Sequence, residues 1–159
     1  MTHQDFVELK VPAKPEYVGV VRLFLSGVAS RLGFTIDEVE DIKLAVAEAC
    51  TNATLHAYKE DEGQMIITCT SYDDRLEVMV IDHGESFEID RIRYRLKPIE
   101  SHTNIESLHE GGLGLFLIET LMDEVHIQSE DGIAISMTKY KRRDEVESGE
   151  SSFKTTPSQ

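Results

Sequence analysis

The chain has 159 residues, enough for one domain with one sizeable core, and 40% hydrophobic with 29% charged residues fits a soluble globular protein. Its 30 acidic and 16 basic residues give a formal net charge of −14, which argues against direct contact with nucleic acid or an anionic membrane. Arg22 interrupts the most apolar stretch, Tyr17 to Ala29, short of the roughly 18 residues of a membrane span, and Met1 to Phe6 lacks a secretory start, so a cytoplasmic protein is expected.

Phe6 to Val11 alternates apolar and polar residues and predicts a strand stopped near Pro12. Pro15 suits the first turn of a helix running to about Leu32, with Val18, Val21, Leu25 and Val28 as its core stripe and Gly33 as its terminator. Asp37 is the expected cap of a second helix to about Tyr58, whose buried seam is Val39, Ile42, Val46, Ala49 and Ala53. Met65 to Tyr72 and Arg75 to Ile81 read as strands joined through Asp73-Asp74. Residues 86 to 109 lack a period and read as a short helix followed by a mobile loop. Gly112 to Met122 is helical, Asp123-Glu124 ends that helix, and Glu124 to Ser129 and Ile133 to Tyr140 are strands around an Asp131-Gly132 turn.

This order predicts an α+β fold, a two-layer α/β sandwich with a mostly antiparallel sheet and helices on one face. The domain is expected to span residues 1–143. From Asp144 the chain turns polar and rich in Ser, Thr and Glu, so 144–159 is expected to be a disordered tail. Cys50 and Cys69 have no metal-ligand spacing and read as buried free thiols of a reduced compartment. The basic run Lys139-Tyr-Lys-Arg-Arg143 reads as solvated at a strand end, with a docking patch as a second reading.

Three segments carry chemistry. In Glu48-Ala-Cys-Thr-Asn52 an acid and an amide lie four residues apart, hence on one helical face. Asn52 offers a neutral oxygen to a hard cation such as Mg²⁺, and Glu48 can take a proton from a hydroxyl or water beside it. Asp82-His-Gly84 follows a strand, where the carboxylate can accept from an exocyclic amine such as adenine's and Gly84 lets a ligand approach the backbone. Glu110-Gly-Gly-Leu-Gly114 opens a helix, so the amides around Gly111, Gly112, Leu113 and Gly114 can hold phosphate. Singly these segments have plainer readings: a solvated helix face, an Asp turn, a junction of small residues. Together they provide what a nucleotide site needs. No Walker-type Gly-Lys-Ser/Thr follows, so this is not a P-loop. His56 and His83 lie nearby and take no catalytic task.

In this order the segments resemble the gyrase, heat-shock chaperone, histidine kinase and mismatch-repair (GHKL, Bergerat-type) ATP-binding domains, over roughly residues 6 to 141. Glu48-xxx-Asn52 looks like the N box, Asp82-His-Gly84 like the first glycine box, and Glu110-Gly-Gly-Leu-Gly-Leu115 like the second. The stretches from Ala47 to Tyr58, from Glu110 to Glu124 and from Ile135 to Tyr140 are most similar to one branch, the bacterial anti-sigma factors with serine-protein kinase activity. That resemblance implies ATP and Mg²⁺ as cofactors, Asn52 as the Mg²⁺ ligand, Glu48 as the general base, Asp82 on the adenine amine, and an ATP lid from about Ser86 to His109. It also implies a sigma-B-type sigma factor as partner, an anti-anti-sigma protein as serine substrate, and a homodimer. Relatives often carry an arginine just before the second glycine box; here the stretch reads Ser107-Leu-His-Glu110.

Two other classes compete. A nucleotide-regulated sigma-binding protein without kinase turnover would not need Glu48. A histidine kinase would need a phosphoacceptor helix upstream, and only Met1 to Phe6 precede the first strand.

Overall fold

The computed structural model describes residues 4–57, 63–82, 97–98, 112–128 and 133–142. Among these residues six strands form one sheet: β1 (Asp5–Pro12), β2 (Gln64–Ser71), β3 (Arg75–Asp82), β4 (Lys97–Pro98), β5 (Glu124–Gln128) and β6 (Ile133–Tyr140). Their spatial order is β1-β2-β3-β6-β5-β4, and every pairing is antiparallel. β2 and β3 are joined at Asp73-Asp74, where the Tyr72 N–H donates to the Arg75 carbonyl at 2.9 Å. Pro12 belongs to β1 and pairs with Gln64, which an edge strand tolerates because its outer side needs no donor.

Alternation along the strands sorts the two faces. Met65, Ile67 and Cys69 of β2, Leu76, Val78 and Val80 of β3, and Ile135 and Met137 of β6 join the main core. That core is closed by three helices, α1 (Val18–Arg31), α2 (Ile36–Ala57) and α3 (Gly112–Leu121), with a 3₁₀ turn at Pro15–Tyr17 leading into α1. The helix α2 is central: it packs on β2, β3 and β6 and touches both other helices. Val39, Ile42, Val46, Ala49 and Ala53 are all buried, as their spacing required. In α1 the buried positions are Val21, Leu25 and Ala29, while Val18 and Val28 pack at the core's margin.

The helix ends show local chemistry. Gly33 has φ 89°, the Gly33 N–H donates to the Ser30 carbonyl at 3.1 Å and the Phe34 N–H to the Ala29 carbonyl at 3.4 Å. This paired closure needs a left-handed residue, which glycine adopts without strain. The expected cap of α2, Asp37, is not the one used. Thr35 and Glu38 form a reciprocal box, with the Thr35 N–H donating to Glu38 Oε1 at 2.9 Å and the Glu38 N–H to Thr35 Oγ1 at 3.2 Å. Asp37 lies two positions inside the cap: the helix already includes Ile36, so Thr35 is the residue that meets the free amides.

Two further expectations change. The aperiodic insert contributes a strand, β4, whose Lys97 and Pro98 pair with Ile127 and His126. Two residues, one of them proline, carry no period to detect. Lys139 is not solvated: it is 3% exposed and points into the helix layer. The rest of the segment from Ser86 to His109, Tyr58 at the end of the second predicted helix, the Asp131-Gly132 turn and the segment from Asp144 lie outside the described residues. Both cysteines are buried free thiols.

Candidate functional site

The helix α2 presents Glu48 and Asn52 from one face, each partly exposed, while Ala49, Cys50 and Ala53 between and beside them are buried. The seam that buries α2 thus fixes the azimuth of the polar pair. Thr51 and Thr54 do not extend the site, since their hydroxyls donate back to the Ala47 carbonyl at 2.9 Å and the Thr51 carbonyl at 2.8 Å.

The first turn of α3 meets that pair. A Cβ placed on Gly114 would stand 3.1 Å from Glu48 Oε2, 3.4 Å from Asn52 Nδ2 and 3.5 Å from Asn52 Oδ1. Glycine lets the backbone of α3 come this close, because a side chain here would press on the carboxylate and make it shift by a few tenths of an ångström. Gly112, Leu113 and Gly114 lie in the opening turn of α3, whose amides lack partners within the helix and whose end carries partial positive charge. An acid, an amide and the amide-rich opening end of a helix therefore converge at one point, from segments more than fifty residues apart in sequence.

Asp82 closes β3 and is 4% exposed. It pairs in register with Met65 on one side and Ile133 on the other, and alternation puts it on the helix-facing side with Val78 and Val80. A buried carboxylate at the strand exit, beneath the helix layer, is suited to accept from a ligand amine. Gly84, Gly111, His83 and His109 lie outside the described residues. Among the described residues no group of three or more His, Cys, Asp or Glu side chains could hold a metal. Mg²⁺ does not need such a cluster, since one protein oxygen with phosphate oxygens and waters completes its shell. The cradle at Gly114, with Asn52 at its wall, fits that requirement.

Burial pushes the Cys50 and Cys69 thiols up to about 12, so neither is a nucleophile. A shallow depression of about 320 Å³, lined in part by Thr68, Glu77, His126 and Ser136, lies on the opposite face of the sheet. It is separated from Glu48 and Asn52 by the sheet itself and takes no part in the site.

The family model of the histidine kinase-like ATPase domain matches residues 11–139. The chain belongs to that family. Among the described residues the match takes in the three helices and the strands from β2 to β5, nearly all of β6 and the last two residues of β1. Within the family the chain is similar to the serine-protein kinase RsbW of Bacillus subtilis, 54% identical over 144 residues and 90% of each chain. It is likewise similar to the serine-protein kinase RsbW of Oceanobacillus iheyensis, 48% identical over 157 residues, 98% of this chain and 99% of the relative. The crystal structure of the RsbU and RsbW domains of a Mycobacterium tuberculosis protein aligns with a TM-score of 0.59 at 20% identity, over 87% of this chain and 32% of that one. That likeness concerns the fold, and it agrees with the two-layer α+β architecture expected from the sequence. No helix among the described residues is long and apolar enough to cross a membrane.

The sequence reading missed Lys139. Its only signal was a lysine in the helix-facing register of β6, two residues after Met137.

Proposed function

We propose that this chain is an ATP-dependent serine-protein kinase that also sequesters a sigma-B-type sigma factor and phosphorylates a serine of the anti-anti-sigma protein that opposes it. The observation that carries the reading is the packing of Gly114 against Glu48 and Asn52, with the RsbW kinases supplying the substrate class. Asp82 accepts a hydrogen bond from the adenine amine. The amides of the α3 opening turn hold phosphate oxygens. Asn52 Oδ1 would hold Mg²⁺, which when bound would supply positive charge beside the phosphates. Glu48 accepts the proton of the substrate serine as its oxygen bonds to the γ-phosphorus and the bond to the ADP oxygen breaks. Phosphorylation adds nearly two negative charges to the substrate. A protein of net charge −14 then releases it and turns back to the sigma factor. A cytoplasmic homodimer is the state in which we expect it to work.

The test is incubation with γ-labelled ATP, Mg²⁺ and candidate anti-anti-sigma proteins. Label should appear on one serine of the substrate. Glu48→Gln should retain nucleotide and partner binding and lose transfer by about 10²-fold or more. Sigma binding that depends on nucleotide, with no label transferred to any candidate, would instead leave a regulated binding protein.

A further inference from the structure

Lys139 is a lysine inside the protein. Its side chain is 4% exposed, and its alternation on β6 with Ile135 and Met137 aims it at the helices. A buried ammonium is unfavourable unless it is hydrogen-bonded or paired, and here it has a carbonyl acceptor on one helix and a carboxylate counter-charge on another. Lys139 Nζ donates to the carbonyl of Leu121, the last residue of α3, at 2.7 Å. It also lies 3.6 Å from Asp41 Oδ2 on α2. The backbone on either side of it fastens the same end of α3. The Asp123 N–H donates to the Thr138 carbonyl at 2.9 Å, and the Tyr140 N–H donates to Asp123 Oδ2 at 2.7 Å.

These contacts fix the direction of α3 along α2. At one end Leu121 stands over Asp41 through the shared ammonium. At the other end Gly114 stands against Glu48 and Asn52. The two helices therefore run antiparallel, and Asp41 precedes Glu48 by seven residues, about two turns. The helix α3 has 10 residues and spans roughly 15 Å, too short to bend appreciably. Where its C-terminal end is pinned, its N-terminal end must follow. A cation at a helix C-terminus also meets the negative end of the backbone dipole, so the position that holds α3 is the electrostatically favoured one.

We propose that Lys139 is a positioning residue of the nucleotide site: its ammonium sets the place of α3 along α2, and so the distance between the phosphate-binding amides at Gly114 and the Glu48–Asn52 pair. This rests on the reading of that cluster as the nucleotide site. A Cβ built on Gly114 would stand only 3.1 Å from Glu48 Oε2, so the opening turn of α3 lies close against the pair, and a slide of α3 along α2 changes the distance from its amides to Glu48 and Asn52 directly. Lys139 touches no reacting atom and acts only through the helix.

The experiment compares Lys139→Met with a variant of matched stability loss far from α3, Val11→Ala on the edge strand β1, in the full chain. Both are assayed well below their melting temperatures for the KM of ATP, the KM of the protein substrate and kcat. Lys139→Met is expected to raise the KM of ATP about tenfold, as suits a displacement well under an ångström, and to leave the KM of the protein substrate unchanged. Val11→Ala should lower the melting temperature and change neither constant. Equal ATP constants in the two variants would overturn the proposal. Should Lys139→Met fail to fold, Asp41→Asn decides, because Asp41 is 41% exposed and its loss spares the core. A two- to threefold rise in the KM of ATP is expected there, on the order of a lost weak ion pair, and no rise overturns the proposal. If wild type transfers phosphate and Glu48→Gln does not, while Lys139→Met behaves like wild type, only the positioning role fails. If Glu48→Gln transfers normally, the site reading itself fails.

Discussion

Gly114→Ala probes the convergence of α2 and α3 most directly. The added methyl would stand 3.1 Å from Glu48 Oε2 and 3.4 Å from Asn52 Nδ2. Favourable carbon contacts begin near ~3.5 Å, so the Glu48 carboxylate must retreat by roughly 0.4 Å or α3 must move by as much. Glu48 is only partly buried and can give way, so the squeeze is cheap in stability. Alanine in place of glycine in a helix gains up to ~1 kcal/mol, which offsets it. The net effect on folding should stay within ~1 kcal/mol of zero, or a melting shift of about 2–4 °C in either direction. Function should respond far more, since a displacement of that size at a phosphoryl-transfer site costs on the order of tenfold in rate and the methyl also blocks approach to the backbone. Thermal denaturation paired with labelled-phosphate transfer over an ATP series measures both. The expected outcome is a nearly unchanged melting temperature with kcat/KM for ATP reduced tenfold or more. Unaltered kinetics would refute the functional reading of the contact, and a fall of ten degrees in melting temperature would show that the glycine serves packing alone.

Asn52→Ala should weaken Mg-ATP binding and shift the magnesium dependence of binding upward, checked by nucleotide titration at several Mg²⁺ concentrations. Asp82→Asn should reduce the preference for ATP over GTP, because the acceptor for an exocyclic amine becomes an amide, and competition binding of the two nucleotides reads this directly. Thr35→Ala should lose about 1 kcal/mol through the α2 cap while Asp37→Ala costs under about 0.5 kcal/mol, and chemical denaturation separates them. Cys50 and Cys69 should resist thiol reagents in the native protein at pH 8 and react once it is unfolded. Their folded values of about 12 lie above the usual 9.0, so the unfolded chain loses these protons first. Their contribution is therefore complete below pH 9 and declines between pH 9 and 12 by up to about 1.4 kcal/mol per pH unit for each thiol. A denaturation series from pH 7 to 11 checks the sign.

Much of the architecture is legible in local periodicity. The seam Val39, Ile42, Val46, Ala49 and Ala53 repeats at three and four, which only a helix can place on one side, and all five are buried. Leu76 to Ile81 is a short run of apolar, largely β-branched residues broken only by Glu77, as suits a central strand, and it pairs with a strand on each side. Gly33 announces a left-handed stop, and φ 89° follows. Glu48 and Asn52 share a face by arithmetic alone. These features depend on residues within a turn or two of each other, where backbone geometry leaves few choices.

What required tertiary structure involves partners distant in sequence. The chain order does not say that α3 lies antiparallel to α2, so it does not say that Gly114 reaches Glu48. The capping box at Thr35 and Glu38 is local and could have been read, but Asp37 offered a competing acid in the same turn, and only the position of the first helical residue decides between them. The strand β4 forms because β5 offers an unpaired edge, and nothing in Lys97-Pro98 alone requires it. Lys139 differs most between the two levels. In sequence it opens a basic run, whereas in the fold it is a buried ammonium whose partners, Asp41 and the Leu121 carbonyl, lie 98 and 18 residues away. Periodicity reports which side of an element is apolar, but a single polar contact across layers leaves no period, and only packing brings its partners together.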